Sequence, residues 1–336
     1  MVFGDYELKQ RAIFFRELAT LVDSGMTIGQ AISTLEPRAQ SANLRRALKA
    51  IGPKVSGGKR LSEIARSYPD QFPNLAIAMI EAGETGGRLD TMLVRLAQYV
   101  EREVNLRALI ARETFYPKIL LVAVLFIPLG APVIIAAIQD SMGAALLIFF
   151  RWLLIYALAL GLLALAVTMV VRSYGKTTEG RRNIDAFKLH LPLLGKVIHR
   201  VAMSKFCRAL AALYDAGVPI TQALRLAGDA TANARIQATA VLAAPTVERG
   251  GKLSEGLARA GMLDDLVLRM LQTGEDSGHI DEMMDKVADY YEAESETAIK
   301  QMSLLIVPLA VIVAGIVVVF MALKSYMGYA TNLLGN

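Results

Sequence analysis

Residues 14–31 read FFRELATLVDSGMTIGQA, and residues 206–223 read FCRALAALYDAGVPITQA. Setting Gly25 on Gly217, an offset of 192, places Phe14, Arg16, Leu18, Ala19, Leu21, Asp23, Ile28, Gln30 and Ala31 on Phe206, Arg208, Leu210, Ala211, Leu213, Asp215, Ile220, Gln222 and Ala223. The same register carries Leu61, Ser62 and Glu63 onto Leu253, Ser254 and Glu255. One residue is then lost, and at an offset of 191 Gly83, Glu84, Gly87, Asp90 and Met92 meet Gly274, Glu275, Gly278, Asp281 and Met283. Tyr99, Glu101, Glu103 and Pro117 continue onto Tyr290, Glu292, Glu294 and Pro308. A register held over about a hundred residues with one gap is an internal duplication.

Each copy has the periodicity of helices. Leu18, Leu21 and Val22 keep helical spacing, Gly25 and its twin Gly217 stand where a left-handed residue ends a helix, and Ile28, Ala31, Ile32 and Leu35 restart the period. Further on, a helix running to Ala82 meets Gly83-Glu84-Thr85-Gly86-Gly87, after which Leu89, Met92, Leu93, Leu96 and Val100 begin another. Its twin is Ile280, Met283, Met284 and Val287. This last helix leads straight into an apolar run in both copies, so each bundle is expected to feed its final helix into a membrane span. The fold expected is all-α, two repeated helix-bundle domains plus three transmembrane helices.

Composition supplies the membrane. Across 336 residues, 54% are hydrophobic and 20% charged, against about a quarter charged in an ordinary soluble chain. The apolar excess collects in Ile119–Ile138, Ala144–Val171 and Leu304–Leu323, each reaching the roughly 20 residues that cross about 30 Å of hydrocarbon. Arg151 falls inside the middle run, and a charge at the centre of a span costs roughly 2.5–3.5 kcal/mol on insertion scales. The span is therefore set to begin at Trp152, with Trp152 and Tyr156 near an interface and Ala144–Phe150 as a short interfacial or re-entrant stretch. A tilted longer helix that buries Arg151 against the bundle is the other arrangement open to this sequence.

The expected division is 1–116 for the first helical domain, 117–138 for span one, 139–151 for a periplasmic or interfacial loop and 152–171 for span two. The second domain covers 172–303, span three 304–323, and a tail 324–336. Arg107, Arg112 and Lys118 precede span one and Arg172, Lys176, Arg181, Arg182 and Lys188 follow span two. The positive-inside rule then places both domains and the amino terminus in the cytoplasm and the tail outside. Met1–Arg11 is polar and has no cleavable-signal pattern. The net charge of +5 is accounted for by these juxtamembrane residues, and nothing points to nucleic acid.

No chemistry-bearing constellation stands out. Val55-Ser-Gly-Gly-Lys59 resembles a phosphate loop, but Pro53 and Arg60 occupy the places of the first glycine and the magnesium-binding hydroxyl, and Leu253 follows Lys252 in the second copy. His190, His199 and His279 lack metal-ligand spacing, and Cys207 is the single cysteine, read as a structural thiol. No catalytic residue, cofactor or metal is expected.

The polar motif that recurs is Gly83-Glu84-x-x-Gly87-x-Leu89-Asp90, twinned with Gly274-Glu275-x-x-Gly278-x-Ile280-Asp281. One reading is structural, with glycines for the turn and carboxylates capping free amides. The other makes Glu84, Asp90, Glu275 and Asp281 a contact surface for a partner, or a divalent-cation site shared with a second subunit. Pro117 and Pro308, at the approach to spans one and three, are read either as kinks that set packing or as hinges.

The paired Leu-x-x-Leu-x-x-x-Gly segments at Leu18–Gly25 and Leu210–Gly217, the paired Gly-Glu turns and the pre-span prolines resemble the type II secretion system F family over nearly the whole chain. The resemblance implies two cytoplasmic six-helix domains, three spans and homo-oligomers in the bacterial inner membrane. It further implies a platform that meets a cytoplasmic hexameric ATPase, pilin or pseudopilin subunits and other inner-membrane assembly proteins of a pilus or secretion machine, and that is not an enzyme. Many members carry a segment before the first domain, and Phe14 lies so near the start that contacts of such a segment are expected to differ here. A small membrane transporter or permease is the alternative; it would place ionisable residues inside the spans.

Overall fold

The computed structural model describes residues 2–120, 122–123, 142–174, 177–191 and 194–334. Its helices are α1 (Val2–Asp23), α2 (Ile28–Leu35), α3 (Ala42–Ser56), α4 (Leu61–Ala65), α5 (Asn74–Gly86), α6 (Leu89–Glu113), α7 (Met142–Tyr174) and α8 (Thr178–His190). They continue as α9 (Leu194–Asp215), α10 (Ile220–Ala230), α11 (Ala234–Val241), α12 (Ala244–Glu248), α13 (Leu253–Ala260), α14 (Asp265–Ser277) and α15 (Ile280–Leu334). Among the described residues there is no strand.

The duplication is carried into three dimensions. α1 and α9 begin and end 192 residues apart, and α5 and α14 begin and end 191 apart. α3 runs unbroken through Pro53, whereas its twin stretch is divided ahead of the equivalent Pro245 into α11 and α12. The lost residue falls between α4 and α5 in the first copy and their twins in the second, where α13 is closed by left-handed Gly261. Caps repeat as well: Ser41 accepts from the Leu44 amide, and at the twin position Asn233 accepts from the amides of Arg235 and Ile236.

The chain divides into two units, one of residues 1–109 and 185–296, the other of 110–184 and 297–336. The first holds both repeats around one continuous core, in which Phe15, Leu18, Leu48, Phe72, Met79 and Leu96 of the first copy join Phe206, Leu213, Leu224, Leu257, Val287 and Tyr291 of the second. Phe15 and Phe72 meet edge to face with ring centroids 5.8 Å apart. α5 packs on α9 and α10, which joins the copies. Cys207 is buried in this core.

The second unit has the opposite character. On α7, Leu147, Leu154, Leu158 and Met169 are exposed, and on α15 Leu304, Val311, Ile316 and Phe320 are. Apolar surface of this extent is not left facing water by a stable soluble protein. Among the described residues one helix, within Glu282–Phe320, is long and apolar enough to cross a membrane. α7 is a continuous helix from Met142, ahead of the start at Trp152 expected from the charge of Arg151, so Ala144–Phe150 is helical. The side chains of Trp152 and Tyr156, and most of the first apolar run, lie outside the described residues.

Candidate functional site

The recurring turn is built from one helix end, one left-handed glycine and one carboxylate. α5 does not stop at Ala82; it continues through Gly83, Glu84 and Thr85 to Gly86, and α14 likewise runs to Ser277. The turn itself is at Gly87 (φ 65°) and Gly278 (φ 75°), which take the left-handed conformation that a side chain would oppose. The amides of Arg88 and His279 close it by donating back to the carbonyls of Gly83 and Gly274 at 3.0 and 2.9 Å.

Gly83 and Gly274 serve a different purpose. A Cβ on Gly83 would lie 2.9 Å from Met92 Cβ and 3.0 Å from Leu89 Cα, and one on Gly274 would lie 2.7 Å from Met283 Cβ. These glycines let the last turn of one helix press on the first turn of the next. Gly25 and Gly217 (φ 90° and 76°) close α1 and α9 in the same left-handed way.

Glu84 reaches back 22 residues and more. Its carboxylate accepts from the Leu61 amide at 2.6 Å and the Ser62 amide at 3.3 Å, and from the Ser62 hydroxyl. Glu275 does the same with the Leu253 amide at 2.5 Å, the Ser254 amide at 3.1 Å and the Ser254 hydroxyl. α4 and α13 start after Arg60 and Lys252, neither of which provides a side-chain cap. Their orphan amides are therefore met by an anion supplied from another helix, at the positive end of the helix dipole.

The structure thus brings Glu84 and Asp90 to one groove of about 680 Å³ beside Thr27, Lys59 and Arg60. Asp90 is exposed on the first turn of α6. In the second copy Lys252, the twin of Arg60, is ion-paired with Asp276 across the corresponding turn, and in the first copy Thr85 stands where Asp276 would be. Asp281 is on the first turn of α15; its side chain lies outside the described residues.

A second polar cluster, which the sequence did not announce, joins the two copies. Arg208 of α9 is enclosed by Glu292 at 2.7 Å, Asp285 at 3.2 Å and Asp289. Arg102 of α6 reaches the same Glu292 at 2.7 Å and Asp289 at 3.3 Å, Lys205 meets Glu103 at 2.7 Å, and Arg95 pairs with Asp215. Burial opposes the Arg208 charge, but the hydrogen bonds to Glu292 and Asp289 outweigh it and hold its pKa above the usual value. Burial pushes the Cys207 thiol up, against the smaller pull of Arg208. Arg16 and Glu101, the twins of Arg208 and Glu292, pair in the same way on an exposed surface.

At the approach to the apolar runs, Pro117 is buried within a helical stretch at 115–120, while Pro308 is exposed inside unbroken α15. Pro117 has no amide for the Glu113 carbonyl; the Ser303 hydroxyl donates to that carbonyl instead, at 2.8 Å.

These elements define a duplicated helical protein with one polar body and a strongly apolar part, its two copies linked by ion pairs. The sequence matches the family described as "Type II secretion system (T2SS), protein F" over residues 14–136 and again over 206–328, two stretches related by the same offset of 192. The chain belongs to the type II secretion system protein F family.

Among its relatives is a "Type IV pilus assembly protein PilC" of Thermus thermophilus, 35% identical over 93% of this chain and 79% of that protein. A "Type IV pilus assembly protein TapC" of Aeromonas hydrophila is 30% identical over 94% and 79%. A "Type II secretion system protein F" of Xanthomonas campestris is 32% identical over 88% and 76%.

Proposed function

We propose that this protein is the inner-membrane platform of a type IV pilus or type II secretion machine, a homo-oligomer that couples a cytoplasmic hexameric ATPase to pilin or pseudopilin polymerisation without being an enzyme. The observation that carries the reading is similarity over nearly the full chain to relatives named for pilus assembly and for type II secretion. The apolar exposure of α7 and of α15 beyond Leu304 supports spans at 152–171 and 304–323, and the apolar run of the sequence supports a further one at 117–138. The helical bodies at 1–116 and 172–303 are cytoplasmic in this reading, 139–151 and 324–336 lie outside, and Pro117 and Pro308 set how the spans leave the bodies.

The groove beside the first Gly-Glu turn is proposed as the contact surface for the assembly partner. Its exposed Asp90 and its Lys59 and Arg60 stay open, whereas the second copy bridges the same place with Lys252 and Asp276. Glu84 and Glu275 shape that surface from behind by fixing α4 and α13.

The test is purification of the full-length protein from its native cells in mild detergent, with mass spectrometry of what stays bound. Recovery of a secretion-type ATPase and pilin-like subunits is the expected result. Their absence, with the protein folded and abundant, would overturn the reading.

A further inference from the structure

The contact between the two copies is head to tail. It sets the α6 side of the first copy against α9 of the second, through Arg95–Asp215 and Glu103–Lys205, while Arg102 reaches Asp289 and Glu292 at the adjoining edge of α15. By the repeat register the twin of α6 is α15 and the twin of α9 is α1. A heterologous contact of this kind uses one face of each copy and leaves the twin of each face uncovered. Here those are the α1 face of the first copy and the corresponding side of α15 in the second.

The uncovered faces keep part of the complementarity. Asp23 stands where Asp215 does and is exposed, with no ion pair among the described residues. Lys286 stands where Arg95 does, half-exposed and paired with Glu282 one turn away on its own helix. Arg16, the twin of Arg208, is held ready by Glu101 as Arg208 is held by Glu292. Two charged positions are not kept, since Ile13 replaces Lys205 and Ala293 replaces Arg102. Ile13 is 50% exposed, an apolar side chain on an otherwise polar helix face.

We propose that the α1 face of the first copy receives the α15 face of the second copy of a neighbouring chain, so that the contact inside one molecule recurs between molecules. Fewer ion pairs make it weaker than the internal contact. Each chain then gives one face and receives one, which closes into a ring or extends, but does not stop at a two-fold pair. The inference deepens the homo-oligomeric part of the proposed function and rests on it.

The test uses the full-length chain in membranes with Cys207→Ala. Asp23→Cys and Lys286→Cys are placed on separately tagged chains, co-expressed and oxidised. The expected product is a mixed-tag dimer that neither chain forms alone. A chain carrying both Arg95→Cys and Asp215→Cys, which closes on itself without a change in mass, is the control for the internal contact.

Cross-linking of Asp23→Cys chains to one another would overturn the proposal in favour of a two-fold contact. So would the absence of any mixed dimer while the control closes. In that case an amine-reactive reagent separates the two failures: captured dimers leave the platform reading standing and refute only this surface, whereas none, together with no bound ATPase, removes the homo-oligomer as well.

Discussion

Removing the Glu84 carboxylate isolates what the shared cap contributes. Glu84→Ala leaves the amides of Leu61 and Ser62 and the Ser62 hydroxyl without their charged acceptor. Hydrogen bonds to a charged group contribute roughly 1.5–3 kcal/mol each, and loss of an N-cap typically costs about 1 kcal/mol. The three bonds share one half-buried carboxylate that water can partly replace, so the total is about 3 kcal/mol rather than their sum.

Local opening of α4 should then rise roughly hundredfold, at about 1.4 kcal/mol per factor of ten. Hydrogen–deuterium exchange of the detergent-solubilised protein reads this directly. Peptides over residues 60–66 should exchange faster by that factor in Glu84→Ala, less so in Glu84→Gln, and not at all over residues 252–260. Unchanged protection of 60–66 in Glu84→Ala would refute the capping argument. Glu275→Ala should give the mirror result.

The internal contact predicts an asymmetry between twins: Arg208→Met should lower stability by about 3 kcal/mol, because it strips a buried cation from three carboxylates, whereas Arg16→Ala on the exposed twin should change the melting temperature little. Cys207 should resist a membrane-permeant maleimide in the folded protein and react once it is denatured, since burial keeps the thiol protonated; rapid labelling would contradict its place in the core. Asp90→Lys, which spares the cap, should reduce recovery of the assembly ATPase while leaving expression and membrane insertion unchanged, and equal recovery would discount the first groove as the contact surface.

Much of this structure was legible because duplication gives a single sequence its own reference. The register through Leu61-Ser62-Glu63 and Gly83-Glu84 anticipated twin helices that begin and end together, and the glycine of Leu-x-x-Leu-x-x-x-Gly marked the end of α1 and of α9. The Gly-Glu turn falls four residues later than the sequence suggests, at Gly87 rather than Gly83. Gly83 looks like a helix breaker, yet it is small for the sake of Met92, and that reason is invisible without the packed neighbour. The cap on α4 was half visible, since Ser62 and Glu84 recur together as Ser254 and Glu275. What links them is a contact between segments 22 residues apart, which periodicity does not report. The ion pairs between copies span still longer separations, and Ser303 gave no signal at all.

The charged character of the contact between copies also bears on how the chain is made. The first copy is finished near Glu113, but the helices that cover its α5 and α6 are not complete until about 180 residues later, which at 5–20 residues per second is roughly ten to forty seconds of synthesis. During that interval the waiting face shows Arg95, Arg102 and Glu103 to water. An apolar face in the same place would be a target for aggregation beside a membrane. Placing ion pairs beside the shared apolar core keeps part of the waiting face hydrated until the other half arrives.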